Sequence, residues 1–245
     1  MNYCPSFRSE NSRPIGFSGI ASDPHPSSAQ FAQALARHID QRDFPCVGAK
    51  SALAQGNLEV IAATSLASDE DDARIHRRLV AWSGASRGET QGFRSLAVVF
   101  AGPACDERGF ETLLWERLAA LGARDRAAGH AHAAGFSADP DAPDFALSFG
   151  GEAYFAVGLH PAASRAARRL EYPAIVFNLH SQFAELRAEG RYERMREVIL
   201  ARDEAYAGSI NPMIARHGDV SEARQYSGRA VSADWVCPMA KGAQR

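Results

Sequence analysis

Four cysteines are spread over 245 residues, at Cys4, Cys46, Cys105 and Cys237, and none forms a C-x-x-C pair. That spacing excludes a disulfide framework, which is denser, and a cysteine-based zinc site, which needs close pairs. Reduced thiols in the cytoplasm are the reading it favours. No run approaches the ~18 apolar residues of a membrane helix. The first ten residues lack the basic-then-apolar order of a secretory signal. Charge of one sign is also scarce: 27 Lys and Arg stand against 29 Asp and Glu, a formal net charge of −2. Nothing in that balance points to nucleic acid or an anionic membrane. The catalytic signatures G-x-G-x-x-G, G-x-S-x-G, H-E-x-x-H and the EF-hand loop are all absent. Gly48-Ala49-Lys50-Ser51 resembles the end of a phosphate-binding loop but has no earlier glycine at the required spacing.

What is present is ordinary globular composition, 46% hydrophobic and 23% charged, enough for a core that encloses a small-molecule pocket. Residues 1–28, rich in Ser, Pro, Gly and Asn, read as a flexible arm. Residues 29–245 read as one domain. Phe31, Leu35 and Ile39 lie four apart, the stripe of a helix over Ala29–Asp40; Pro45 and Gly48 bracket a turn. Leu58–Leu66 and Leu96–Phe100 read as strands, the second buried on both faces. Ala73–Trp82 and Asp106–Gly122 read as helices, and Gly84–Gly92 and Ala127–Pro143 as loops. Phe145–Phe149 and Ala153–Leu159 flank Gly150-Gly151 as a hairpin. Ala162–Leu170 reads as a short basic helix, Ala174–Leu179 as a buried strand, Gln182–Ala207 as helix broken at Gly190, and the remainder as an irregular tail. The fold class is therefore α+β, or mixed α/β: a single domain with a mixed sheet of about five strands flanked by helices.

Three segments crowd groups able to do chemistry. His160 ends one strand, and Arg165, Arg168 and Arg169 follow at spacings that share a helix face, a clamp for a carboxylate, a phosphate or a porphyrin propionate. A solvated basic face paired with surface acids is the bland alternative. His180 ends another buried strand, a position that points side chains into clefts, although a lone histidine there is often a core or capping residue. The tail carries Glu222, Arg224 and Tyr226, then Cys237-Pro238, where a buried inert thiol competes with a thiolate ligand. Lys50 can neutralise an anion, or simply lie exposed.

Taken together, FPCVGAKSALAQG (44–56), FETLLWERLAAL (110–121), FALSFGGEAYFAVGLHPAASRAARR (145–169), VFNLHSQFAELRAEGRYERM (176–195), RDEAYAGSINPM (202–213), SEARQYSGR (221–229) and WVCP (235–238) resemble the YqcI/YcgG family. Leu179 and Met239 stand where the family pattern has Pro and Phe. The resemblance implies a haem-dependent N-oxygenase that hydroxylates a nitrogen of a small guanidine-type substrate, such as arginine, an arginine derivative or an aminoimidazole. It implies haem b, dioxygen and an external reductant or electron-donor protein. On that reading His180 is the expected iron ligand, with His160 and Cys237 as alternatives. His160, Glu152 and Glu222 are the expected catalytic groups. Arg165, Arg168, Arg169, Lys50, Arg224 and Tyr226 are the expected cofactor contacts. A non-catalytic haem-binding or sensor protein is the alternative function, and a homodimer stays open.

Overall fold

The structure, a computed structural model, describes residues 26–86, 92–216 and 218–239; most of the expected N-terminal arm, Cys4 included, lies outside them. The first helix, α1 (Ser28–Asp40), starts where Ser27 and Gln30 cap each other's backbone N–H groups, a capping box. It buries Phe31, Leu35 and Ile39 as the spacing predicts, with His38 on the same face. The segment expected as a turn is instead helix α2 (Val47–Ala54). Pro45 precedes it, and the Cys46 sulfur accepts the Ala49 N–H at its start. Gly48 is tolerated because a Cβ there would stand 3.2 Å from the Phe93 ring.

Strand β1 (Leu58–Ser65), helix α3 (Asp72–Ser86) and strand β2 (Ser95–Gly102) form a crossover unit, and β1 pairs parallel with β2. Helix α3 runs past Gly84, where a loop is expected. Helix α4 (Glu107–Ala127) likewise runs past Gly122, starting from an Asp106 side chain that accepts the Gly109 N–H. The hairpin follows as β3 (Leu147–Phe149) and β4 (Glu152–Leu159), turning through Gly150 and Gly151 at φ 63° and 79°, values that glycine adopts without strain. Then come β5 (Ala174–Leu179), α5 (His180–Ala188), α6 (Tyr192–Ala207) and a short α7 (Ala223–Tyr226) in the tail. The sheet order is β1-β2-β5-β4-β3, antiparallel except for β1–β2. One mixed five-stranded sheet in an α+β domain is thus what forms.

The basic helix expected over 162–170 does not form. Only Ala166–Arg168 makes a 3₁₀ turn. Arg169 takes up the carbonyls of Ala163 and Ser164, which a helix would use, and Arg168 turns instead to the Gly158 carbonyl of β4. The three guanidiniums accordingly go in different directions.

Alternation along the strands sorts the core into two layers. Leu96, Val98, Phe100, Ile175, Phe177, Tyr154 and Ala156 face α3 and α4, around Trp115. Ala97, Val99, Leu159 and Ala174 face α1 and α2. Gly158 marks the tightest approach on the first face. A Cβ there would meet Phe110 Cε1 at 2.7 Å and the Tyr226 carbonyl at 2.8 Å.

Two alanine substitutions should therefore diverge. Gly158→Ala should lower stability by roughly 1–3 kcal/mol through overpacking. Gly84→Ala, on an exposed turn of α3 with nothing within 4 Å, should raise it by about 0.5–1 kcal/mol. Urea unfolding midpoints at unchanged m-value measure both.

Candidate functional site

The second face of the sheet is only partly covered. Helices α1 and α2 lie over one end and α5 and α6 over the other, leaving an open cleft with a cavity volume of about 220 Å³ between them. Its walls are Leu35, Phe44, Phe155, Val157, Met195 and Ile199. An adjoining lobe of about 220 Å³ shares Phe155, Phe183, Met195 and Ile199 with it and reaches His180 and Glu222. Arg168 stands where the two lobes meet.

His180 is the first residue of α5, directly after β5, and is buried. Its Nε2 lies 3.0 Å from Glu222 Oε1. The Tyr226 hydroxyl donates to the same carboxylate oxygen. Burial, with Glu222 beside it, pushes the Tyr226 phenol well above its ordinary range, so it remains a donor. Ser221 Oγ, donating to the Pro140 carbonyl at 2.5 Å, anchors the segment that delivers Glu222. A carboxylate on one imidazole nitrogen is the arrangement that orients metal-bound histidines through the other nitrogen.

The arginines divide by task. Arg165 reaches the cleft but pairs with buried Asp203 at 2.7 Å and the Ser209 carbonyl at 2.6 Å. Arg168 donates to the carbonyls of Gly158, Gln225 and Tyr226 at 3.0, 3.1 and 3.4 Å. Desolvation pulls its pKa down to about 10, so it stays charged at neutral pH. Arg169, Lys50 and Arg224 line neither lobe. Lys50 bonds the Gln41 carbonyl, and Arg224 bonds the Ser232 carbonyl beneath the Trp235 ring. Glu152, at the start of β4, is also outside the cleft.

His160 does not join His180. Strands β4 and β5 are antiparallel, with Tyr154 opposite Leu179 and Leu159 opposite Ala174. Their C-terminal ends therefore lie at opposite ends of the pair, roughly 17–20 Å apart at strand rise. His160 also points to the other face, where its ring stacks on Phe110 at 4.3 Å. Cys237 is buried in that same layer.

Three residues passed over in the sequence line the cleft instead. His38 sits on the apolar stripe of α1, with Nε2 3.0 Å from the Ala167 carbonyl. Cys46 stands at the start of α2; burial raises its thiol, against the lowering effect of the Ala49 and Gly48 N–H groups and Arg168. Arg196, on α6, lines the His180 lobe. Its Nε is buried and has no hydrogen-bond partner among the described residues. A polar residue within a helix's apolar stripe was the available signal for His38. Arg196 had none, because one arginine in the run RYERMRE looks like any other.

The YqcI/YcgG family's sequence model matches residues 31–240. No curated protein and no solved structure matches the chain. No helix among the described residues is long and apolar enough to cross a membrane.

Two expectations follow from the geometry. Arg168→Met should cost roughly 2–4 kcal/mol, because it strips a charged donor from three part-buried carbonyls. Arg169→Met, whose bonds lie within one loop near the surface, should cost about 1 kcal/mol or less. Chemical denaturation of both variants measures this. The second concerns pH. Burial holds His38 and His160 below the ordinary 6.5 despite partly opposing neighbours. As pH falls through about 6.5, the unfolded chain takes up protons that the folded chain refuses, so stability is full above that pH and is lost towards the lowered folded values. The urea midpoint should drop between pH 7.5 and 5.5, and the drop should be shallower in His160→Gln.

Proposed function

The chain belongs to the YqcI/YcgG family, and from that premise we propose that it is a haem-dependent N-oxygenase acting on a nitrogen of a small guanidine-type substrate. The supporting observation is the cleft. It combines apolar walls, a histidine oriented by a buried carboxylate, and an arginine N–H with no partner among the described residues. These match the demands of haem b, a flat apolar ring with two carboxylates and an iron that takes a nitrogen or sulfur donor. When bound, the haem supplies the oxygen chemistry, with dioxygen and an external reductant as co-reactants.

The chain's own residues do the rest. His180 is the donor we assign to the iron, and Glu222 and Tyr226 fix its ring. Arg196 is the cation we assign to a propionate, in place of the 165–169 arginines that the protein's own acceptors occupy. Phe155, Phe183, Met195 and Ile199 exclude water from the lobe. Asn178 Oδ1, which accepts the Ser95 hydroxyl at 2.7 Å, lies on the cleft wall and is an acceptor of the kind that orients a cationic guanidine. His38, kept neutral by burial, is placed to accept a proton there.

Titrating the purified chain with hemin should give a saturable Soret shift at one haem per chain. Arg196→Ala should weaken retention roughly 10- to 150-fold, since a desolvated charge-assisted bond is worth about 1.5–3 kcal/mol. His180→Ala should lose the native ferric spectrum and recover it with imidazole. A thiolate-type carbon-monoxide spectrum would move the ligand to Cys46, the cysteine that lines the cleft. A featureless titration overturns the proposal. Haem binding without an oxygen-heavier product from arginine, homoarginine, guanidino acids or 2-aminoimidazole favours a non-catalytic haem sensor.

A further inference from the structure

On the sheet's other face, away from the cleft, a second cluster gathers from three parts of the chain. His76 comes from α3, Asp125 from the last turn of α4, and His130 from the loop that follows. His76 Nε2 and His130 Nδ1 each lie 2.7 Å from the same oxygen, Asp125 Oδ1. The Gly150 N–H, at the hairpin turn, donates to that oxygen at 2.9 Å. Three donors thus converge on an atom with two lone pairs. One donor atom from each side chain lies within 4.8 Å of the others. The two imidazole rings stand 5.8 Å apart at 34°.

We propose that His76, Asp125 and His130 bind one divalent transition-metal ion of the zinc class. Two imidazoles and a carboxylate are a borderline-soft donor set suited to zinc and not to calcium or magnesium, which take oxygen cages. Three protein ligands leave a fourth position for water. Ligand atoms around a tetrahedral zinc stand ~3.3 Å apart, given bonds of about 2.0–2.1 Å. The two N···O contacts of 2.7 Å would spread by roughly half an ångström to reach that distance, and the two imidazole nitrogens, within 4.8 Å of each other, would settle at the same spacing. Access comes from His130, whose side chain is 33% exposed, whereas His76 and Asp125 are 7% and 4% exposed.

The ion would join α3, the end of α4 and the loop after it at one point. It requires nothing of the cleft and is independent of the haem reading.

The test uses the full chain after chelator treatment, titrated with zinc and, for spectroscopy, cobalt(II). One zinc per chain should bind, and the cobalt spectrum should carry ligand-field bands without a thiolate charge-transfer band. His130→Ala, which changes the most exposed ligand and keeps the buried pair, should weaken zinc roughly tenfold or more. It should also reduce the rise in melting temperature that the same zinc concentration gives the parent chain. His132→Ala, in the same loop, should bind like the parent. Absence of zinc binding, unchanged affinity in His130→Ala, or a thiolate band in cobalt would each overturn the proposal.

Discussion

A buried carboxylate governs the site. Glu222 is 5% exposed, and a charge so enclosed is tolerable only when its oxygens are well partnered. His180 Nε2 and the Tyr226 hydroxyl meet that demand. In doing so they tie the tail to the junction of β5 and α5, and close one wall of the cleft. Arg168 repeats the logic from the other side. Its guanidinium collects one carbonyl from β4 and two from the α7 region, so the boundary between the two lobes is set by the same tail.

A second acid holds the end of the tail. Glu111, on α4, accepts from Arg229 Nε and Nη2 at 2.9 and 2.6 Å, from Ser227 Oγ at 3.2 Å and from Trp235 Nε1 at 3.2 Å. The polar motif SEARQYSGR is thus a clasp made of pairs that join sequence positions far apart. An irregular segment with little apolar surface docks through charge-assisted bonds, and its buried members Ala223 and Tyr226 complete the α4 layer. The two faces of the sheet are divided between tasks. One is filled by large aromatic side chains and is closed. The other is left partly open by α1, α2, α5 and α6, and that opening is the cleft.

Periodicity made most of the elements legible. Phe31, Leu35 and Ile39 at helical spacing, the apolar run of β2 and the Gly-Gly hairpin report local propensity and one-sided burial, which are written into neighbouring residues. The mixed sheet followed from their order. Misreadings arose where side chains compete with the local pattern. The arginines of 165–169 suggested a helix face, yet the bonds of Arg169 to the Ala163 and Ser164 carbonyls leave only a 3₁₀ turn.

The sequence by itself determined the α+β class and the family, because these depend on residue type and short spacing. Tertiary structure alone decided which members meet. Antiparallel pairing of β4 with β5 sends His160 and His180 to opposite ends and opposite faces, since a strand's direction and the side on which each residue falls are set by its partner. It also brought His38, Cys46 and Arg196 to the cleft and joined His76 to Asp125 and His130 across 54 residues of chain. Those contacts come from packing α1, α2, α3, α4 and α6 against the two faces of one sheet, and no local spacing encodes them.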